Sequence, residues 1–62
     1  MKAQRMKAAR MLKGLTQHDL AQLVGCTEAL VSKIETARAE PERELKERIA
    51  RALEIETWEV GA

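Results

Sequence analysis

Covalent and metal chemistry have little to work with in this chain. Cys26 is the only cysteine and His18 the only histidine. No internal disulfide can form, and a structural zinc site, which needs about four such ligands, has no donor set. No nucleophile–base arrangement stands out either, so the expectation is a protein that is not an enzyme and carries no cofactor. Cys26 follows a turn glycine and is expected to be a buried structural thiol. His18 is expected on an exposed helical arc, solvated or near an anion. The residues offer recognition chemistry instead. In the segment QHDLAQLVGCTEALVSKIE, from Gln17 to Glu35, Glu28 pairs with Ser32 and Ala29 with Lys33 at i/i+4 spacing. A carboxylate, a methyl, a hydroxyl and an ammonium therefore share one arc of a helix. Gln17 adds an amide that donates and accepts, and Thr27 adds a hydroxyl.

Short helices must position these groups. Ala, Leu, Glu, Lys, Arg and Gln dominate, Phe and Tyr are absent, and no alternating β-branched run occurs, so helix is favoured throughout. The pattern predicts a first helix over 2–13, with Met6 and Ala9 inward, Leu12 on the flank and Gly14 ending it; Leu15 then packs back on the core. Thr16 caps a second helix, 17–24, and Asp19 completes a capping-box-like pair. Leu20, Ala21 and Val24 form its inner face, and Gly25 breaks it. Thr27 caps a third helix, 28–36, with Leu30, Val31 and Ile34 inward. Residues 37–40 connect to a fourth helix whose first position is Pro41. Glu42 and Glu44 favour the positive end of that helix, and Leu45, Ile49, Ala52 and Leu53 form its stripe. The tail adds a short turn capped by Thr57, with Trp58 and Val60 covering the core. As the lone aromatic residue, Trp58 serves either as that lid or as an interface anchor.

The second and third helices have a shared logic. Two helices crossing steeply over a turn of about three residues need a small side chain where they touch. Ala21 supplies it. Gly25 supplies the backbone freedom for the turn, and Val24, Val31 and Ile34 anchor the third helix. The face left outward is of a size that fits the major groove of B-DNA.

With 62 residues the chain is expected to be one domain with a small core in a reducing compartment. No apolar run approaches the roughly 18 residues of a membrane span, and the basic start MKAQRMKAAR lacks the apolar stretch of a secretory signal. Net charge is +1, but it is unevenly placed. Residues 1–38 hold seven bases and three acids, whereas residues 39–62 hold four bases and seven acids. A basic front and an acidic back orient a molecule toward a polyanion.

The pattern Gln17-x-x-Leu20-Ala21-x-x-Val24-Gly25-x-Thr27-x-x-x-Val31-Ser32-x-Ile34-Glu35 strongly resembles the phage Cro/repressor-type, or XRE-like, helix-turn-helix family. The resemblance extends to Arg10 and Gly14-Leu15-Thr16 before it and to Pro41, Leu45, Ile49-Ala50 and Ala52-Leu53 after it, nearly the whole chain. It implies an all-α, compact bundle of four to five short helices, spanning residues 1–62 as one DNA-binding domain. Helix 28–36 would enter the major groove while helix 17–24 crosses the backbone. Twofold dimers on a palindromic operator would set two such helices about 34 Å apart.

The resemblance also assigns roles. Gln17 would contact a phosphate and brace the recognition helix, and Thr27 would reach phosphate as well as cap. Glu28, Ala29, Ser32 and Lys33 are the candidates at base edges. Lys33 would donate to guanine, and Ala29 would touch a thymine methyl. Glu28 would either accept from cytosine N4 or, the reading favoured here, only complement the helix's positive end. Arg10 and Glu35 would pair, tying the first helix to the third, with guanidinium donors left for a phosphate. Lys7, Lys13 and Arg38 would be further phosphate contacts, and Arg43 would lie toward the minor groove. Ala21, Gly25, Val31, Ile34 and Glu35 would hold the arrangement. Where relatives have Asn-Gly after Glu35, this chain has Thr36-Ala37, so the third helix is expected to run on or the loop to take another shape. Leu23 and Leu30 are apolar where polar residues are common, as extra core or as a surface patch.

The expectation is a cytoplasmic, nucleoid-associated bacterial or phage transcriptional regulator, of repressor type, with a double-stranded operator as partner and a weak homodimer on it. Open alternatives are an antitoxin that autoregulates its operon, a protein-interaction module that retained the fold, contact with a toxin or polymerase, and a reengineered scaffold.

Overall fold

The computed structural model describes residues 4–61. Four helices follow one another, α1 Gln4–Leu12, α2 Gln17–Val24, α3 Glu28–Glu35 and α4 Arg43–Leu53, and a 3-10 turn spans Thr57–Glu59. There is no strand among the described residues, so the fold is all-α as expected. The expected start of the first helix at residue 2 lies outside the described residues.

Sequence-local devices start and stop these helices. Thr16 is extended, its hydroxyl accepts from the Asp19 N–H at 3.0 Å, and the Asp19 carboxylate accepts from the Thr16 N–H at 3.0 Å, a complete capping box. Those bonds, the backbone one first, hold the Asp19 carboxyl below its ordinary value. The Thr27 hydroxyl caps α3 by accepting from the Leu30 N–H at 3.1 Å. Gly25, at φ 78°, ends α2 in the left-handed conformation that glycine adopts without steric cost.

Against those local rules, α3 does not run on. It stops at Glu35, and Ala37 takes a left-handed φ of 61°. The Ala37 N–H donates to the Ile34 carbonyl at 3.1 Å and the Arg38 N–H to the Lys33 carbonyl at 2.7 Å. This is the paired closure usually built on glycine. The Thr36 hydroxyl adds a bond to the Ser32 carbonyl at 3.0 Å. The satisfied carbonyls offset the steric cost at Ala37.

One apolar cluster joins the helices: Met6, Leu20, Ala21, Val24, Val31, Ile34, Leu45, Ile49, Ala50, Leu53 and Val60 are buried, with Ala9, Leu15, Leu30 and Ala52 packed against it. α2 packs on α3 and α4, and α1 closes over α3 and α4. Leu30 is thus core margin, whereas Leu23 is surface at 64% exposed.

Four expectations at the edges are corrected. Leu12 is 90% exposed rather than on the core's flank, because at about 100° per residue it stands about 120° around α1 from Met6. Pro41 is buried ahead of α4, not its first residue; Glu42, extended at ψ 165°, takes the cap position and the helix begins at Arg43. The last turn is capped by Glu56, not Thr57. Glu59 takes the inward place there and leaves Trp58 66% exposed, so Val60 alone covers the core as expected.

Two substitutions check this packing. Ala21, 2% exposed, has no room for growth, and Ala21→Leu is expected to lower stability by about 1–3 kcal/mol in urea unfolding. Ala37→Gly should raise it by about 1 kcal/mol by relieving the left-handed cost; an unchanged midpoint would mean that the loop carries no strain.

Candidate nucleic-acid interface

The centre of the site is a buried carboxylate. Glu35, at the end of α3, is 3% exposed, where an ionised acid survives only with full hydrogen bonding. Arg10 of α1 donates from Nε to Oε2 at 2.6 Å and from Nη2 to Oε1 at 3.4 Å. Gln17, the first residue of α2, donates from Nε2 to Oε1 at 3.0 Å. Arg10 also donates from Nη1 to the Leu15 carbonyl at 2.7 Å. One carboxylate therefore ties α1, the loop after it and the start of α2 to the end of α3.

This arrangement places Arg10 differently from the expected phosphate contact. The side chain is sunk to 7% exposure and its Nε, Nη1 and Nη2 all donate within the fold, so Arg10 is a brace. Gln17 remains half-exposed, and its amide oxygen has no partner among the described residues.

With its inner face fixed by Val31, Ile34 and Glu35, α3 turns Glu28, Ala29 and Lys33 to solvent, with Ser32 half-exposed beside them. Thr27 is exposed just ahead of them; its oxygen accepts from the helix, which leaves its hydroxyl hydrogen for an outside acceptor. Arg38, just past the left-handed Ala37, and Lys7, on α1, are exposed as well. The turn that brings α2 and α3 together, Gly25 to Thr27, has the length expected.

Other groups fall elsewhere. Glu28 does not act only on the helix end: its Oε1 lies 3.8 Å from Nδ1 of His18, across from the start of α2. Lys13 is drawn away to Glu54, at 2.7 Å, and holds that carboxyl below its ordinary value. Arg43 stands in the open, loosely opposite Glu47 at 3.9 Å. Cys26 is half-buried rather than buried, with Sγ 3.5 Å from the Thr27 carbonyl, and desolvation pushes its thiol up.

Two arrangements escaped the sequence reading. Arg48 of α4 donates from Nε to the Val24 carbonyl at 3.0 Å, closing the open end of α2 from another helix. Arg5 donates to the buried Glu59 at 2.8 Å and lies 5.8 Å from the centre of the Trp58 ring, clasping the last turn to α1. Their partners are 24 and 54 residues apart, and no local spacing signals either.

A family model described as a helix-turn-helix domain matches residues 3–60. No curated protein and no solved structure matches the chain.

Removing one side of the buried pair tests the brace. Arg10→Met leaves the Glu35 carboxylate short of donors and is expected to cost about 3–5 kcal/mol in thermal or urea unfolding. Adding Glu35→Leu should recover most of that loss. If the single variant melts with the parent, the pair does not hold α3.

Proposed function

The chain belongs to the helix-turn-helix domain family, and from that premise we infer that it binds double-stranded DNA in a sequence-specific manner, as a small bacterial or phage transcriptional regulator of repressor type. Family membership itself supports DNA binding. The observation that carries the finer reading is the fixed presentation of α3: Glu35, Arg10 and Gln17 lock its inner side, and the outward side is small and polar. In this reading α3 lies in the major groove and α2 meets the backbone. Lys33 donates to a guanine edge, Ala29 rests on a thymine methyl, and Ser32 offers a hydroxyl to either neighbour. Gln17, Thr27, Lys7 and Arg38 hold phosphates. Residues 1–62 act as one domain, without a cofactor and without catalysis, in the cytoplasm on the nucleoid, and two copies meet weakly on a palindromic site.

A second reading adds a protein partner, as in an antitoxin that autoregulates its operon. Its support is that three large apolar side chains, Leu12, Leu23 and Trp58, stand in solvent at 90%, 64% and 66% exposure.

Salt decides between DNA and protein as the main partner. Affinity for a selected duplex should fall linearly in log–log form as salt rises, with a slope reporting several phosphates. Lys33→Ala should weaken binding about tenfold or more with an unchanged melting point. Salt-independent binding, or a Lys33→Ala variant that binds as the parent does, would reject this docking mode.

A further inference from the structure

Glu28 poses a problem for a surface that meets a polyanion. It stands exposed at the first position of α3, with 58% of its side chain in solvent, among groups otherwise suited to bases and phosphates. A carboxylate there repels phosphate oxygens. The fold sets one group against it: His18, at the second position of α2, with Nδ1 3.8 Å from Glu28 Oε1. The two belong to different helices: the turn at Gly25 leads from α2 into α3, and the Gln17–Glu35 bond ties the start of α2 across to the end of α3. His18 is the only imidazole in the chain. Imidazole is the side chain that ordinarily gains its charge between pH 5 and 8. The charged groups beside it are Glu28 from α3 and Asp19 of its own helix. Asp19 is already engaged in the cap with Thr16.

We propose that His18 is a positioning residue that makes cytosine readout by Glu28 proton-linked. This rests on the DNA-binding reading above. When the imidazole takes a proton from solvent, its charge cancels the carboxylate's repulsion toward the phosphates and holds Oε1. Oε2, which has no partner among the described residues, is left to accept from the N4 amino group of a cytosine in the major groove. When His18 is neutral, Glu28 enters the groove uncompensated and binding weakens. The duplex's own negative potential favours the protonated form, so binding takes up a proton and affinity rises as pH falls.

The test selects duplexes from a random pool with the full chain at pH 5.5 and then measures affinity for the winner at pH 5.5 and 7.5. The parent should select a cytosine at one position and bind about fivefold more weakly at pH 7.5, the effect of one exposed ion pair. His18→Gln should bind weakly at both pH values. His18→Lys, with a permanent charge, should bind tightly at both. Glu28→Gln should lose the pH dependence and change the selected cytosine to adenine, the base that an amide reads. Both His18 and Glu28 are exposed, so melting points of the variants should match the parent. If a duplex is selected but the parent's pH dependence survives His18→Gln, or the selected base does not change with Glu28→Gln, the pairing has no such role. If no duplex is selected at all, the DNA-binding reading falls, and this proposal with it.

Discussion

A carboxylate that cannot reach water governs this structure. Glu35 closes α3 inside the fold, and the energetic cost of desolvating its charge leaves few acceptable arrangements. Donors must come from Arg10 and Gln17, so α1 and α2 must lie where those donors reach. The outward side of α3 is then set by default, because the inward side is fully committed to Val31, Ile34 and the ion pair. A hydrophobic residue at the same place would stabilise the core without dictating direction. Three directional bonds from two elements fix the rotation of the helix about its own axis, which decides which residues face a groove.

The ends of the helices show a second constraint. Each helix stops where a residue turns left-handed: Gly14, Gly25, Ala37 and Glu54, at φ 73°, 78°, 61° and 58°. Two are glycines and two carry a Cβ. At Ala37 the strain is offset by paired carbonyl bonds, and at Glu54 by N–H bonds to Ala50 and Arg51 with a clasp from Lys13. The stop of α3 is therefore a property of the whole loop rather than of a glycine, and Thr36 contributes through its hydroxyl.

Those facts explain what could be read in advance. The boundaries of α2, the Thr16 and Thr27 caps, the buried Ala21 and the Arg10–Glu35 pair were legible because each rests on spacing within a few residues or on the register of the whole motif. The end of α3 departs from expectation because alanine's low tendency to turn left-handed is a local rule, and three backbone and hydroxyl bonds override it. Pro41 and Thr57 were displaced by one or two positions because Glu42 and Glu56 supplied the extended backbone a cap requires. The clasp of Arg5 on Glu59, the Arg48 bond to Val24 and the approach of His18 to Glu28 depend on how separate helices meet. Leu12, expected on the flank, and Trp58, expected as lid or interface anchor, both stand in solvent because Met6 and Val60 already close so small a core.

The position of Trp58 has an optical consequence. With no tyrosine or phenylalanine in the chain, all near-ultraviolet absorption and fluorescence from aromatic rings arises at this single point, beneath the Arg5 guanidinium. Emission thus reports the docking of the last turn, while far-ultraviolet dichroism reports the four helices. Melting curves from the two signals coincide only if the molecule unfolds as one cooperative unit, so the chain carries its own gauge of whether its periphery detaches before its centre.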